Sequence, residues 1–352
     1  MAIYHFQAQR IARGNGRNAV RAAAYRHREQ MRDALTGERY AYTGHREELI
    51  HSEMALPDET PPWLRTLVDG RTPAQASAAL WNTVQAQATR ANAIYAREIV
   101  IGLPTELNRD EQIALMRDYV RAAFTSRGMV ADWVIHDKAG NPHAHVMLTT
   151  KPLSESGFGS NVTPLRDDAG QPVRTAEGKI KYAVWNDGAA VLREWRAGWA
   201  RVANDHLQEA GLDIHIDHRS LQDRGSRLEP NIHLGPHASG VHARTGQGAV
   251  ERERERIRRE NADRIRANPA ELIVLASSQQ AVFRRADVER IARRYLPGEA
   301  PAALQSLVDQ ALAAPNITST LSEMLDRRTG RMVEATAYAT RVMIALEQRM
   351  AD

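Results

Sequence analysis

Two short apolar runs, Met129 to His136 and His143 to Thr150, flank a turn from Asp137 to Pro142, a pattern that specifies a β-hairpin. Residues two apart on a strand project from one face, so the imidazoles of His143 and His145 point the same way. His136 ends the preceding strand, and the short turn lets a third imidazole reach the same place. Three neutral histidines make a strong divalent-ion site with coordination positions left open. An open position is where a phosphate oxygen can bind and become more electrophilic. The plain alternative is three structural histidines. The chain has 13, and a His-x-His pair arises often by chance. The ligand set suits zinc, manganese or others and does not choose the ion.

The rest of the chain is read around that hairpin. Ala2 to Phe6 reads as a short strand, and Arg13 to Arg17 as a glycine-rich basic turn. Asn18 can cap an Ala-rich helix that reaches to about Met31. Residues 33–62 look irregular, with a Pro61-Pro62 stop. A helix is predicted from Pro73 to Tyr95, then a buried strand from Arg97 to Pro104. Asn108 to Arg127 is an amphipathic helix with Asn108 as cap and Gly128 as stop. Residues 154–185, rich in Gly, Ser and Pro, read as a mobile loop or irregular hairpin. Ala189 to Ala210 is a helix whose Trp195 and Trp199, four apart, suit a core, and Ile214 to Asp217 is read as a strand.

Near residue 240 the character changes. Glu251 to Arg266 is densely charged in both signs, which suits a solvated helix or linker. Beyond Leu272 an amphipathic pattern returns at Phe283, Val288, Ile291, Leu304, Leu307, Val308, Leu312 and Tyr338 to Met350. The division expected is a large domain at 1–240, a charged linker at 241–272 and a small, mostly helical module at 273–352.

Formal charge is +4, from 47 Lys and Arg, nearly all Arg, against 43 Asp and Glu. An Arg-rich balance suits phosphate contacts and weakly suggests a polyanion partner. There is no cysteine, which excludes disulfides and thiol catalysis and fits a cytoplasmic protein. No apolar run approaches bilayer length, so membrane insertion is not expected. Tyr25 follows three alanines and lies among Arg21, Arg26 and Arg28. A tyrosine can form a covalent intermediate, and nearby arginines would hold phosphates and favour the phenolate. The segment alone fits equally a core tyrosine with arginines on the wet face.

Taken together these segments resemble the MobA/MobL family of plasmid mobilisation relaxases, within the HUH endonuclease superfamily. The opening Met1-Ala-Ile-Tyr-His, with Gly16 to Val20 and Ala22 to Arg26, is similar to the family's first motif. Arg97 to Pro104 resembles the second; Gly128 to Asp132, Ile135-His136 and Asn141 to Thr150 resemble the third. Trp195 to Trp199, Asp217 to Leu221 and His233 to Gly235 fit its later part, so the resemblance covers about residues 1–240. It implies an α/β (α+β) fold with a central antiparallel sheet flanked by helices and the histidines on central strands. It implies Tyr25 as nucleophile, His136, His143 and His145 as ligands of a divalent metal, Mg or Mn, and Glu98 close to that metal. A buried carboxylate usually needs a cationic or metal partner. Glu98 could orient a histidine, help the metal directly, or simply pair with an arginine.

The implied activity is nicking of one DNA strand at a transfer origin, with a 5′-phosphotyrosine that can be religated. Arg13, Arg17, Arg21, Arg26 and Arg219 are the candidate phosphate contacts, and a turn held by Asp217 is the plainer reading of the last. The implied partners are single-stranded DNA, relaxosome accessory proteins, and a coupling protein with its type IV secretion system. The expected setting is the donor cytoplasm, from which a monomer is carried with the DNA into the recipient. Gln280 to Arg290, Thr329 to Arg331 and Tyr338 to Arg341 resemble the segment that leads into a helicase in relaxase–helicases. No Gly-x-x-x-x-Gly-Lys loop is present, so no ATPase activity is expected and the chain reads as a fragment of a longer protein. Competing classes are a rolling-circle replication initiator with the same chemistry, a three-histidine hydrolase of small substrates, and a non-catalytic DNA-binding protein.

Overall fold

The structure is a computed structural model of the chain, and it describes residues 4–138, 140–167, 169–212, 214–230, 249–278, 280, 282–326, 331–341 and 344. Two compact units result, Met1–Ala210 and Gly211–Asp352. The first unit begins with β1 (Phe6–Ala12), α1 (Ala19–His27), β2 (Gln30–Arg32), β3 (Arg39–Ala41) and β4 (Leu49–Ala55). α2 (Pro62–Val68), α3 (Pro73–Ala86), β5 (Ile94–Gly102) and α4 (Arg109–Ala123) follow. β6 (Ala131–Lys138) and β7 (Asn141–Leu148) form the central hairpin. Two small hairpins, β8 (Leu153–Ser154) with β9 (Gly157–Phe158) and β10 (Val162–Pro164) with β11 (Tyr182–Val184), precede α5 (Ala189–Glu209).

The main sheet has the order β1-β5-β7-β6-β4, with every neighbouring pair antiparallel. The expected central antiparallel sheet with flanking helices is therefore present. β7 lies in the middle, paired to β5 on one side and β6 on the other, which puts the histidine strands at the centre. The β6–β7 connection is only two residues long, and Gly140 takes φ 76°, the left-handed region that glycine enters without a steric cost.

α1 sits over one face of this sheet. Asn18 caps it by accepting from the Arg21 amide at 2.8 Å. Its small residues Ala19, Val20, Ala23 and Ala24 are buried, and they share a core with Leu80 and Trp81 of α3, Leu64 of α2 and Met147 of β7. The opposite face is lined by aromatic packing. Tyr119 and Phe124 meet Trp195 and Trp199 of α5 edge to face, with centroids 5.1–5.3 Å apart. The expected core role of the two tryptophans is met: both are buried.

Several boundaries differ from the sequence expectation. α1 stops at His27, not Met31, because Arg28 turns left-handed (φ 51°) and ends the hydrogen-bond ladder. Residues 33–62 are not irregular: they hold β3 and β4, and β4 pairs with β6 as an edge strand. Every β4 residue is half-buried, so its sequence lacks the inside–outside alternation that announces a strand. The prolines end nothing here; Pro62 starts α2, at a first-turn position where its missing N–H costs nothing. α3 ends at Ala86, and Ile94 and Tyr95 already belong to β5. The 154–185 stretch does contain irregular hairpins.

The second unit contains α6 (Ala249–Ala267), α7 (Glu271–Ser277), β12 (Val282–Arg284), α8 (Arg285–Tyr295), α9 (Pro301–Leu312), β13 (Ile317–Asp326) and β14 (Arg331–Thr340). It has the expected helices and, in addition, a three-stranded sheet of order β12-β14-β13. Phe283 and Tyr338, read from the sequence as parts of an amphipathic helical pattern, are strand residues paired directly across β12 and β14. Ile214 to Asp217 is not a strand among the described residues, although Ile214 and Ile216 are buried. The charged α6 is anchored inside this unit: Arg256 and Arg264 pair with Glu229, while Ile257 and Ile265 face inward. The compact units thus divide after Ala210, earlier than the 240 boundary. His233 to Gly235, Thr329-Gly330 and Ala345 to Met350 lie outside the described residues.

Candidate metal centre

Strand register brings the three histidines together. His136 of β6 stands directly opposite His143 of β7, and residues paired across a ladder share a face. His145, two residues further along β7, shares it as well. The three rings lie with centroids 5.1–5.7 Å apart. One ligand atom from each lies within 4.8 Å of the others.

Hydrogen bonds fix which nitrogens these are. His136 Nε2 lies 2.7 Å from the Arg26 carbonyl oxygen, which can only accept, so Nε2 carries the proton and Nδ1 keeps the lone pair. His143 Nδ1 faces the Asn141 carbonyl at 2.8 Å, and His145 Nδ1 faces Glu98 Oε1 at 3.1 Å. Both rings therefore present Nε2. Each imidazole is oriented by an oxygen behind it, the arrangement that fixes the tautomer of a metal-ligating histidine. Burial, the largest influence, holds His136 down to about 3 and His145 down to about 4, from an ordinary value of 6.5. Nearby positive charge adds to this at both, from Arg28 at His136 and from Arg26 at His145. Neutral imidazole is the form that binds a cation. Three oriented nitrogen donors fit a single divalent ion.

Glu98 lies on β5, on the same face, and is 1% exposed. Its carboxylate accepts from Arg26 Nη2, from Gln9 Nε2 of β1, and from His145. Burial alone would raise its pKa; the Arg26 charge and the His145 and Arg26 hydrogen bonds outweigh that and hold it well below the carboxylate range. Among the readings open in the sequence, this geometry matches orientation of a histidine combined with an arginine pair. Arg26 is thereby withdrawn from the exposed phosphate contacts proposed from the sequence, because its guanidinium is buried against Glu98.

Tyr25 is the residue before Arg26, on the outer side of α1, and is 39% exposed, so it is not a core tyrosine. Its ring meets Tyr42 edge-on at 5.4 Å, and the Arg28 guanidinium lies 4.5 Å over it. The other candidate arginines are exposed but engaged. Arg13 donates to Tyr95 Oη at 2.8 Å, Arg17 to Gln9 Oε1 at 2.8 Å, and Arg21 to Tyr42 Oη at 2.9 Å. Arg219 belongs to the second unit and pairs with Asp217 at 2.8 Å, the turn anticipated as the plainer reading.

Sequence reasoning missed a second buried carboxylate, Asp132 on β6. It receives His27 Nε2 at 2.8 Å, Ser77 Oγ at 2.5 Å and Trp81 Nε1 at 2.7 Å. Burial would raise its pKa, and these partners together bring it below normal. The network ties α1 and α3 to the sheet that carries the histidines. A signal was present: Val20, Ala24 and His27 follow the i, i+4, i+7 spacing of a buried stripe, and Ala19, Ala23 and Arg26 run beside it.

With this geometry in view, relatives can be compared. The sequence profile of the MobA/MobL family matches residues 17–244. A conjugal transfer protein TraA of Rhizobium radiobacter is 40% identical over 100% of this chain. The chain spans only 32% of that relative's length. A mobilization protein MobL of Acidithiobacillus ferridurans is 33% identical, over 75% of this chain and 70% of the relative. A solved structure described as "Molecular Basis of Vancomycin Resistance Transfer in Staphylococcus aureus" is similar in fold. Its TM-score is 0.51 at 26% identity, covering 62% of this chain and 100% of that one.

Proposed function

The chain belongs to the MobA/MobL family, and on that premise we propose that it is a DNA relaxase, which nicks one strand at a plasmid transfer origin for conjugation. The observation that carries the reading is the convergence of three oriented imidazoles on one sheet face, on which the helix bearing Tyr25 is docked. The compact unit Met1–Ala210, which carries the three histidines and Tyr25, is the nicking domain in this reading, and the second unit follows it. The names of the TraA and MobL relatives, a conjugal transfer protein and a mobilization protein, support this reading.

His136 Nδ1, His143 Nε2 and His145 Nε2 would hold a divalent ion, Mg or Mn. Such an ion supplies Lewis-acid polarisation of the scissile phosphate. Glu98 keeps His145 turned to its task, and the Arg26 carbonyl does the same for His136. Tyr25 Oη attacks phosphorus; its proton leaves to solvent, the bond from phosphorus to the 3′ oxygen breaks, and that oxygen takes up a proton. The products are a free 3′-OH and a 5′-phosphotyrosine. The ester energy is retained, so a 3′-OH can attack the phosphotyrosine, reform the strand and release Tyr25. Arg13, Arg17 and Arg21 would contact backbone phosphates of the bound strand. The partners are origin single-stranded DNA, relaxosome accessory proteins and a coupling protein with its type IV secretion system. The protein acts in the donor cytoplasm as a monomer and travels with the DNA. No helix among the described residues is long and apolar enough to cross a membrane.

The test uses a labelled single-stranded oligonucleotide carrying the origin, with and without chelator, resolved on a denaturing protein gel. A covalent adduct is expected that needs metal and is lost in Tyr25→Phe. An adduct persisting in Tyr25→Phe removes Tyr25 as nucleophile. An adduct surviving His143→Ala with full chelation removes the metal role, and no adduct on an oligonucleotide that binds favours a non-catalytic DNA-binding protein.

A further inference from the structure

Arg28 adopts φ 51° and ψ 36°, one of two non-glycine residues with positive φ among those described. An L side chain enters this region at a steric cost, and such outliers collect where geometry is functionally constrained. The consequence here is directional. The left-handed turn at the end of α1 folds the Arg28 side chain back over the residue three positions earlier, with the guanidinium 4.5 Å above the Tyr25 ring. The same guanidinium donates to Glu48 Oε2 at 2.7 Å and to the Tyr25 carbonyl at 3.4 Å. Arg28 is only 6% exposed, and its Nε is buried without a hydrogen-bond partner among the described residues. The flat face of this buried group covers an exposed tyrosine.

Tyr42 packs its ring against Tyr25 at 5.4 Å with planes 87° apart. Tyr42 is held in turn by Arg21. Arg46 Nε donates to the Arg28 carbonyl at 3.4 Å, which ties down the left-handed residue itself. Tyr25 Oη has no hydrogen-bond partner among the described residues. The ring is bracketed, and the hydroxyl is not.

We propose that Arg28 is a positioning residue for Tyr25, clamping the phenol ring through cation–π contact so that its hydroxyl is held ready for a phosphodiester. The proposal rests on the reading of Tyr25 as nucleophile. A cation over a tyrosine face fixes the ring plane without occupying the oxygen. Holding a nucleophile near its attacking orientation raises the rate of the bound complex and leaves affinity for the strand nearly untouched.

Arg28→Gly is the informative variant, because glycine suits the left-handed backbone and removes only the side chain. Arg28→Gly with Glu48→Gln controls for the carboxylate left behind, and Arg28→Lys keeps a cation but not the flat fork. Three quantities are measured for each with an origin oligonucleotide: single-turnover rate of adduct formation, Kd by fluorescence anisotropy, and Tm. The glycine variants are expected to form adduct about tenfold more slowly, with Kd changed by less than about twofold and Tm not lowered in the double variant. Arg28→Lys should recover part of the rate. A glycine-variant rate within about twofold of wild type overturns the clamp, as does a loss matched by weaker binding or lower Tm, or a lysine variant no faster than glycine. If the glycine variants do not fold, a lysine variant at the full wild-type rate overturns it. Tyr25→Phe runs alongside. An adduct in that variant, or none in wild type, overturns the nucleophile reading and the clamp with it.

Discussion

The two faces of the main sheet are stabilised in opposite ways. The face under α4 and α5 is closed by Tyr119, Phe124, Trp195 and Trp199, rings packed edge to face and almost wholly apolar. The face under α1 and α3 buries Glu98, Asp132, Arg26, His27 and His136, five groups that water would otherwise solvate. Burying charge is tolerated only when partners replace the lost water. Every carboxylate on that face has at least three. The lesson is that one face supplies stability and the other spends part of it to hold side chains in fixed orientations.

The largest effect should come from Glu98→Ala. It leaves the Arg26 charge buried and alone, and unfolding by denaturant should show a loss of about 3–5 kcal/mol. Calorimetric titration with Mn should show affinity down roughly 10–100-fold, because His145 loses its orienting acceptor. Trp199→Ala should cost a similar 3–5 kcal/mol through its cavity, yet leave metal affinity of the folded protein unchanged. If both variants lower metal affinity alike, the division between the faces is wrong.

Acid should separate the faces next. In chelated protein, His136 and His145 titrate near 3 and 4 when folded and near 6.5 when exposed. Between those values the unfolded chain binds more protons, so stability falls as pH drops below about 6.5. Glu98 and Asp132 have depressed pKa values. Their contribution is present above about pH 4 and is lost as pH falls further towards their folded values. Urea midpoints measured from pH 8 to 4 should decline, and a flat profile would contradict the buried neutral imidazoles. The smallest effect is on the aromatic side: Tyr119→Phe removes one hydrogen bond to the Trp195 carbonyl, 2.9 Å long, and should cost about 1 kcal/mol with no change in metal binding.

Much of this contrast is written locally in the sequence. The alternation of β7 and the cap at Asn18 could be read directly, because each depends on near neighbours. The partnership of Glu98 could not, since Arg26 is 72 residues away and belongs to a helix whose docking no local pattern states. β4 was hidden by its even, half-buried profile. Arg26 and His27 were legible in principle from helical phase. The charge of Arg26 masked the stripe, because a buried arginine is uncommon unless paired.

The two-residue link between β6 and β7 also bears on the order in which the protein assembles. Closing so short a loop costs little chain entropy, and hairpins of this kind form within microseconds. His136, His143 and His145 all lie within that hairpin, whereas the Arg26 carbonyl reaches His136 across 110 residues of chain. The three imidazoles should therefore be gathered early in folding, as soon as the hairpin closes, and gain their fixed orientations only when Glu98 and the Arg26 carbonyl reach them. Tyr25 comes with α1 in a later, long-range docking event, so a newly made chain should assemble its imidazole cluster before the tyrosine is in place.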